Sequence, residues 1–408
     1  MNNPTATAGN AGPKVRSDCE ITIEQRKDGG IIIDLKSKVK TLYGAAIEAQ
    51  CREILHYFKI SHASVRIDDS GALPFVIAAR IEAVVRQLKG IDSEYLPEMA
   101  EDNRHSTARD RFRFTRLYLP GNTPGLMINA GLHMADGIIL DLEDSVAPSK
   151  KDEARILVRN ALRQIDFRGA ERMVRINQCE KGLEDLRFVI PHNVNLILIP
   201  KCESPEQVKN INDEIVKIKR KNDINAAVYL MPLIESALGV ENSFEIAKSS
   251  DNIVALAIGL EDYTADLGVQ RTVEGKESIY ARMRMVNAAK AAGIQPIDSV
   301  FSDVGDMSAL EQNVIASKAL GFEGMGCIHP RQIAVIRKGF GPGEAEIEKA
   351  RKIILAFEDA RSKGLGVVSL GTKMIDPPVV ARAQKTVDLA IRLGIMAESW
   401  LNETPGKE

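Results

Sequence analysis

Past residue 114 the chain alternates between two patterns. Short, almost wholly apolar runs occur at RLYLP, GIILDLED, MVRIN, LILIPK, VYLMPLIE, IVALAIGLED, PIDSV and GMGCIHP, eight in all. Between them lie stretches with apolar residues at helical spacing, such as SKKDEARILVRNAL and YARMRMVNAAKAAG. Continuous Val/Ile/Leu runs predict strands buried on both faces, as in a parallel sheet covered by helices. Eight such units over roughly 220 residues predict an α/β chain whose main body, 112–340, is a (β/α)8 TIM barrel. An open doubly wound sheet would carry a Gly-rich fingerprint after its first strand, and none is present.

The flanking segments read differently. Residues 1–16 are polar and rich in Gly, Pro and Ala, which predicts a disordered tail. Residues 17–90 predict a small N-terminal α+β domain. EITIE, a KDGG turn and GIIIDL suggest a hairpin, LYGAAIEAQCREILHYF is helical, ASVRIDD alternates as a strand, and FVIAARIEAVVRQL returns to helix. The charged, aperiodic residues 91–111 predict a linker. Beyond Phe340, EIEKARKIILAFEDARSKG and TKMIDPPVVARAQKTVDLAIRLGIM predict a C-terminal helical lid or oligomerisation segment over 341–408. GVVSLGTK (Gly366 to Lys373) echoes a P-loop, but its Thr precedes the Lys and no strand-to-helix turn encloses it. It is read as a decoy.

Composition narrows the partners. Fifty-four Lys and Arg against 56 Asp and Glu leave a net charge of −2, too balanced for a nucleic-acid or anionic-membrane footprint. No apolar run reaches spanning length and the first residues lack a signal-peptide core, so neither membrane nor secretion is expected. Five scattered cysteines without a CxxC predict a reduced, cytoplasmic protein. The six histidines form no HxxxH or HExxH, which argues against zinc.

In such a barrel, chemistry gathers where the strands end. The first strand carries Arg116, Tyr118 and PGN, the second Asp141, Glu143 and Asp144, the third Arg175 and Asn177. Next come Lys201 and Glu203, then Glu235, Glu261 with Asp262, Asp298, and His329. Carboxylates converging without a His or Cys cluster suit a hard cation, and Mg2+ takes one or two of them while keeping waters. Arg175 offers a planar fork for a substrate carboxylate. Blander readings compete. A single acid at a strand end is more often a solvated loop start or half of an ion pair, but Glu235 and Asp262 together favour a site. Lys201 and Glu203 are expected to pair with each other. His329 before Pro330 reads as readily as a cap as a substrate contact. Cys202 and Cys327 read as small buried hydrophobes.

Taken together, LYLPGN, GIILDLEDSVAPSKKDEAR, VRIN, LIPKCESPEQV, LMPLIESALGV, AIGLEDYTADLG, GFEGMGCIHPRQI and MIDPPVVARAQ resemble the citrate lyase β-subunit-like (HpcH/HpaI aldolase) family of malyl-CoA, citramalyl-CoA and citryl-CoA lyases. The likeness runs over roughly residues 112–395, in order. It implies metal ligands at Glu235 and Asp262, a substrate-carboxylate arginine at Arg175 and a loop tyrosine at Tyr118; Arg116, read from the strand ends and not from the resemblance, is a further substrate-binding candidate. It also implies an acid/base aspartate at Asp376, carried by a lid from a neighbouring subunit. Where the family's lyases often have a Lys after PGN, this chain reads TPGLM, which leaves CoA contacts on that loop unassigned. SDCEITIE, YGAAIEA and DDSGALPFVIAARIEAVV resemble the citrate lyase acyl-carrier (γ) subunit. There a serine just before the SD or GD step carries a CoA-derived arm. The aligned place here is Arg16 and Ser17 follows it. The resemblance thus implies either a phosphoribosyl-dephospho-CoA group on Ser17 or a carrier-like domain kept for packing or docking.

The function so implied is Mg2+-dependent cleavage, or formation, of a 3-hydroxy-3-carboxyacyl thioester, with acetyl-CoA (or acetyl-carrier) and a 2-oxo acid on the other side. A homo-oligomer, trimer or hexamer, is expected. The alternatives are a non-autonomous citrate lyase subunit with a fused carrier module, partnered by other citrate lyase-type subunits, and an aldolase acting on free 2-oxo acids.

Overall fold

The computed structural model describes residues 3–363, 368–370 and 373–402. The N-terminal unit is a four-stranded sheet of β1 (Thr5–Gly9), β2 (Cys19–Gln25), β3 (Ile31–Ser37) and β4 (Ala63–Asp69), in the order β1-β2-β4-β3. Two expectations are corrected here. The tail is not disordered throughout: Thr5–Gly9 pairs antiparallel with β2, from Thr5 opposite Glu24 to Gly9 opposite Glu20. Tertiary contact rescues this polar segment. Ala8 is buried, Gly9 N–H donates to Glu153 Oε2 at 3.1 Å, and Lys150 Nζ donates to Gly9 O at 2.9 Å. Only glycine fits at position 9, where φ is +93° and a Cβ would stand 1.9 Å from Cys19 O. Nor do β2 and β3 form a hairpin. β4 inserts between them, antiparallel to β2 and parallel to β3, because the helix Lys40–Tyr57 makes β3 and β4 a crossover unit.

The second helix of this unit, Pro74–Lys89, is buried at every position from Phe75 to Val85. Such a helix needs cover all round. One side packs on β1 and β2, and the other on the barrel helix Lys151–Gln164. Two arginines are buried inside that seam, both matched by carboxylates. Arg80 donates to Asp18 (3.0 and 2.9 Å), Asn122 Oδ1 (2.7 Å) and Glu153 Oε1 (3.2 Å). Arg159 grips Glu82 with both Nη atoms (2.9 and 2.7 Å) and reaches Glu94 at 2.9 Å.

The barrel strands are β5 (Thr115–Pro120), β6 (Gly137–Asp141), β7 (Glu171–Arg175), β8 (Leu196–Ile199), β9 (Tyr229–Ile234), β10 (Ala255–Ile258), β11 (Gln295–Ile297) and β12 (Met325–Cys327). They fall in the eight apolar runs and pair in parallel, β12 with β5 and then in sequence to β11. Asp298 bridges to Met325 and closes the ring, with Asp298 N–H donating to Gly324 O at 2.8 Å. All five residues of β6 and all four of β8 are buried, as a sheet covered on one face and filled on the other requires.

The segment between the N-terminal unit and β5 wraps the barrel's lower end, where Arg113 and Glu171 form a buried pair at 2.7 Å. After the barrel, helices Glu344–Ser362 and Pro377–Arg392 pack on each other, joined by a small hairpin of β13 (Val368–Leu370) and β14 (Lys373–Ile375). Arg392 at the far end of the last helix lies over the Phe112 ring (4.4 Å) and pairs with Asp110 (3.0 Å), at the face opposite the strand ends. Of the P-loop echo, residues 366, 367, 371 and 372 lie outside the described residues. No helix among the described residues is long and apolar enough to cross a membrane.

Candidate active site

The C-terminal strand ends surround a cavity of about 480 Å³. Arg116, Tyr118, Asp141, Asp144, Arg175, Glu235, Glu261, Asp262 and Asp298 all line it. From strand to strand these residues lie between 23 positions (Tyr118 to Asp141) and 60 positions (Arg175 to Glu235) apart in the chain, and the barrel's closure brings them together.

The acids divide by partner. Asp141 takes a bidentate fork from Arg175, Nε to Oδ1 and Nη2 to Oδ2, both 2.7 Å. Burial works against its charge, but the Arg175 fork outweighs burial and holds its carboxyl below the usual range. Glu143 is also buried and lies 2.9 Å from Arg175 Nη1, with Gln178 donating to its Oε1 at 2.8 Å. Burial pushes its carboxyl up. Glu261 turns outward to Arg271 at 2.7 Å, Asp266 accepts from Ala237 N–H at 2.8 Å, and Asp298 pairs with Arg282.

Glu235 and Asp262 remain. Glu235 follows β9, is buried, and receives one hydrogen bond, from Lys201 N–H to Oε2 at 3.0 Å. Burial pushes its carboxyl up to about 8, and neighbouring Asp262 and Glu143 add to the rise. Gly259 makes room for it, since a Cβ there would stand 2.5 Å from Glu235 Oε1. Asp262, in the first turn of the helix Leu260–Asp266, faces the same space. A buried carboxylate without a cation bonded to it, facing a second, half-exposed carboxylate across the cavity, fits a hard divalent ion that keeps waters. Among the described residues no three acid, His or Cys side chains gather into a fuller metal set.

Lys201 was expected to pair with Glu203, and it does not. Glu203 accepts from Ser236 Oγ at 2.6 Å. Lys201, in the left-handed region at φ +44°, aims its backbone N–H at Glu235 and its Nζ between Glu143 (3.5 Å), Asp144 (3.6 Å) and Asp262 (3.9 Å). A positive φ on a lysine is a costly conformation that tends to collect at functional sites. Local spacing gives no hint of it. Lys151 and Gln178 were also missed: Lys151 Nζ ties down Leu142 O (3.0 Å) and Glu143 O (2.8 Å).

Arg116 stands apart. It is 1% exposed at the floor of the cavity, its Nη1 meets Met231 Sδ at 3.2 Å, and its Nε has no partner. Burial pushes it down to about 10. Tyr118, two residues on, stacks beneath Arg175 at 5.6 Å, and burial raises its phenol. His329 Nδ1 accepts from Arg331 N–H at 3.2 Å, at the start of the helix Arg331–Phe340. Cys202 and Cys327 are buried, with thiols pushed up to about 12 by burial, as inert hydrophobes should be. Asp376 caps the helix Pro377–Arg392, accepting from Val379 N–H at 3.2 Å, and does not line this cavity. Ser17 is half-buried with φ +55°, its N–H bonded to Ser70 O at 3.1 Å, beside the Asp18–Arg80 pair.

Residues 115–330 match the HpcH/HpaI aldolase/citrate lyase family, and residues 5–88 match the malonate decarboxylase delta subunit (MdcD) family. The citrate lyase subunit beta of Leuconostoc mesenteroides subsp. cremoris is 38% identical over 69% of this chain and 94% of its own length. Human mitochondrial citramalyl-CoA lyase is 33% identical over 67% of this chain and 84% of its own. Among solved structures, the CitE protein of Mycobacterium tuberculosis in complex with magnesium, acetoacetate and coenzyme A is 28% identical. It has a TM-score of 0.57, with 69% of this chain and 99% of that one covered.

Proposed function

The chain belongs to the HpcH/HpaI aldolase/citrate lyase family, and from that premise we propose that it is a Mg2+-dependent carbon–carbon lyase. Its substrate is a 3-hydroxy-3-carboxyacyl thioester, split into acetyl-CoA or a carrier-bound acetyl group and a 2-oxo acid. The observation that carries this is the Glu235–Asp262 pair, buried carboxylate and partner, at the mouth of the barrel. The lyase names of the relatives, and the magnesium and coenzyme A in the solved structure, support it.

Cleavage breaks the C2–C3 bond. The 3-hydroxyl gives up its proton and becomes the carbonyl of the 2-oxo acid, while C2 keeps the electron pair as a thioester enolate and takes a proton to become the acetyl methyl. Glu235 and Asp262 would hold Mg2+, which when bound polarises the oxygen on C3 as a Lewis acid. Arg175 keeps Asp141 and Glu143 in register. A substrate carboxylate reaches its Nη1 by displacing Glu143, the partner whose contact has the poorer geometry. Tyr118 stays a phenol at neutral pH and donates to an oxygen in the cavity.

Asp376 would give C2 its proton from a neighbouring copy, since its own helix is anchored through Arg392 on the face opposite its own cavity. A closed trimer or hexamer would place each arm over the next barrel. Asp376→Asn should lose most turnover, and mixing it with Asp262→Asn under subunit exchange should restore part. A mixture that stays inactive counts against action in trans.

The direct experiment is release of acetyl-CoA from malyl-, citramalyl- and citryl-CoA, with and without EDTA. Full activity in EDTA sinks the metal role. Pyruvate release from a hydroxy-oxo acid with no thioester would point instead to an aldolase on free 2-oxo acids. The match of residues 5–88 to a carrier-type subunit favours one second reading, a module in a larger citrate lyase-type complex with an arm on Ser17. Intact mass decides it: an adduct of several hundred daltons supports the module, and an unmodified chain active on free CoA thioesters rejects it. Five thiols without a disulfide among the described residues fit a reducing compartment such as the cytoplasm.

A further inference from the structure

Arg116 occupies an inward position of a barrel strand, where bulky apolar side chains normally fill the interior. Its stem runs past Gly137, where a Cβ would come within 3.4 Å of Arg116 Cγ. Its guanidinium ends among the apolar residues of the barrel interior, against the sulfur of Met231. Among the described residues no carboxylate pairs with it, and one of its nitrogens has no partner of any kind. A buried cation without a counter-charge costs stability, and in a cleft it is a candidate for pairing with a ligand that supplies the missing charge. The other cation lining the cavity, Arg175, is already engaged by Asp141 and Glu143, and Lys201 nearby lies among Glu143, Asp144 and Asp262. Arg116 opens onto the same cavity as Glu235 and Asp262, at its floor.

The thioesters under consideration share a hydroxyl and a carboxylate on C3 and differ in its third substituent: hydrogen, methyl or carboxymethyl. We propose that Arg116 is the specificity-determining residue for that substituent, pairing with a second carboxylate, so that the 2-oxo acid released is a diacid of the oxaloacetate kind. This rests on the lyase reading above. The chemistry discriminates in one direction. A carboxymethyl group meets a planar fork of donors, whereas hydrogen or methyl leaves the guanidinium buried and unpaired.

The test is equilibrium binding of oxaloacetate and of pyruvate to the Mg2+-saturated full chain, wild type against Arg116→Met, with thermal melting of each protein. Wild type should prefer oxaloacetate. Arg116→Met should weaken oxaloacetate on the order of ten- to hundredfold, leave pyruvate nearly unchanged, and melt at the same temperature or higher. A wild type without that preference, or a variant that keeps it, overturns the assignment. If Arg116→Met does not fold, Arg116→Lys decides: a reader of the carboxylate weakens oxaloacetate alone, and a packing residue weakens both acids equally. A wild type that binds oxaloacetate as stated but cleaves no thioester removes the lyase reading and leaves Arg116 only as a reader of the oxo acid's second carboxylate.

Discussion

Arg80 and Arg159 in the seam between the N-terminal unit and the barrel are as buried as Arg116 at the barrel floor, yet their surroundings are opposite. In the seam every guanidinium is matched: Asp18, Glu153 and Asn122 around Arg80, Glu82 and Glu94 around Arg159. At the mouth and floor of the barrel, Glu235 has one backbone donor and Arg116 has a thioether. Both regions sequester charge at a desolvation cost. Only the seam recovers that cost within the folded chain, so its charges hold structure together, and the barrel's uncompensated pair marks where a cation and an anion are meant to bind.

The largest test of that contrast is Glu235→Gln. Turnover with Mg2+ should fall roughly a thousandfold, since Lewis-acid stabilisation is worth several kcal/mol, while the melting temperature holds or rises because an ill-compensated carboxyl is gone. A protein that melts several degrees lower would place Glu235 with the seam residues. Glu82→Ala should do the reverse. It strands Arg159 and Arg86, which Glu82 binds at 2.9 Å each, and should cost about 3–5 kcal/mol in denaturant unfolding with kcat of the folded fraction unchanged. Gly259→Ala pushes a methyl group toward Glu235 Oε1. Calorimetry should show Mg2+ binding weakened about ten- to hundredfold with the fold intact. Wild-type affinity there would mean that Glu235 does not hold the metal.

The smallest effect belongs to His192, at the edge of the seam. It is buried, with Arg163 donating toward its Nδ1 at 3.0 Å and its Nε2 unpartnered. Burial, reinforced by Arg159 and Arg163, lowers it to about 3. The folded chain therefore refuses a proton that the unfolded chain accepts below its ordinary value near 6.5. Stability is present above that pH and declines as pH falls toward 3, by up to about 1.4 kcal/mol per unit. Unfolding at pH 7 and pH 5 measures it, and His192→Gln should flatten the difference.

The eight barrel strands and the two helices of the N-terminal unit were legible because burial writes itself into local composition. A strand covered on both faces must be apolar at successive positions, and a helix must repeat every three to four. β1 was not legible, since TATAG has no apolar pattern and is held by Glu153 and Lys150, far along the chain. The hairpin was misread because the β2–β3 turn is compatible with either topology, and the crossover helix decides. At the site, acids at strand ends could be located but their partners could not. Lys201 stands two residues from Glu203 in sequence and pairs across the barrel instead.

Sequence by itself determined, then, which segments become strands and helices, and that a rim of charge would form where the strands end. Both are consequences of which residues can leave water. Tertiary structure alone decided how that charge is shared out. Arg175 goes to Asp141 across one strand gap, Lys201 to two acids after β6 and one after β10, and Arg116 to none. Ion pairing depends on a few ångströms of separation, and those distances exist only once the ring has closed.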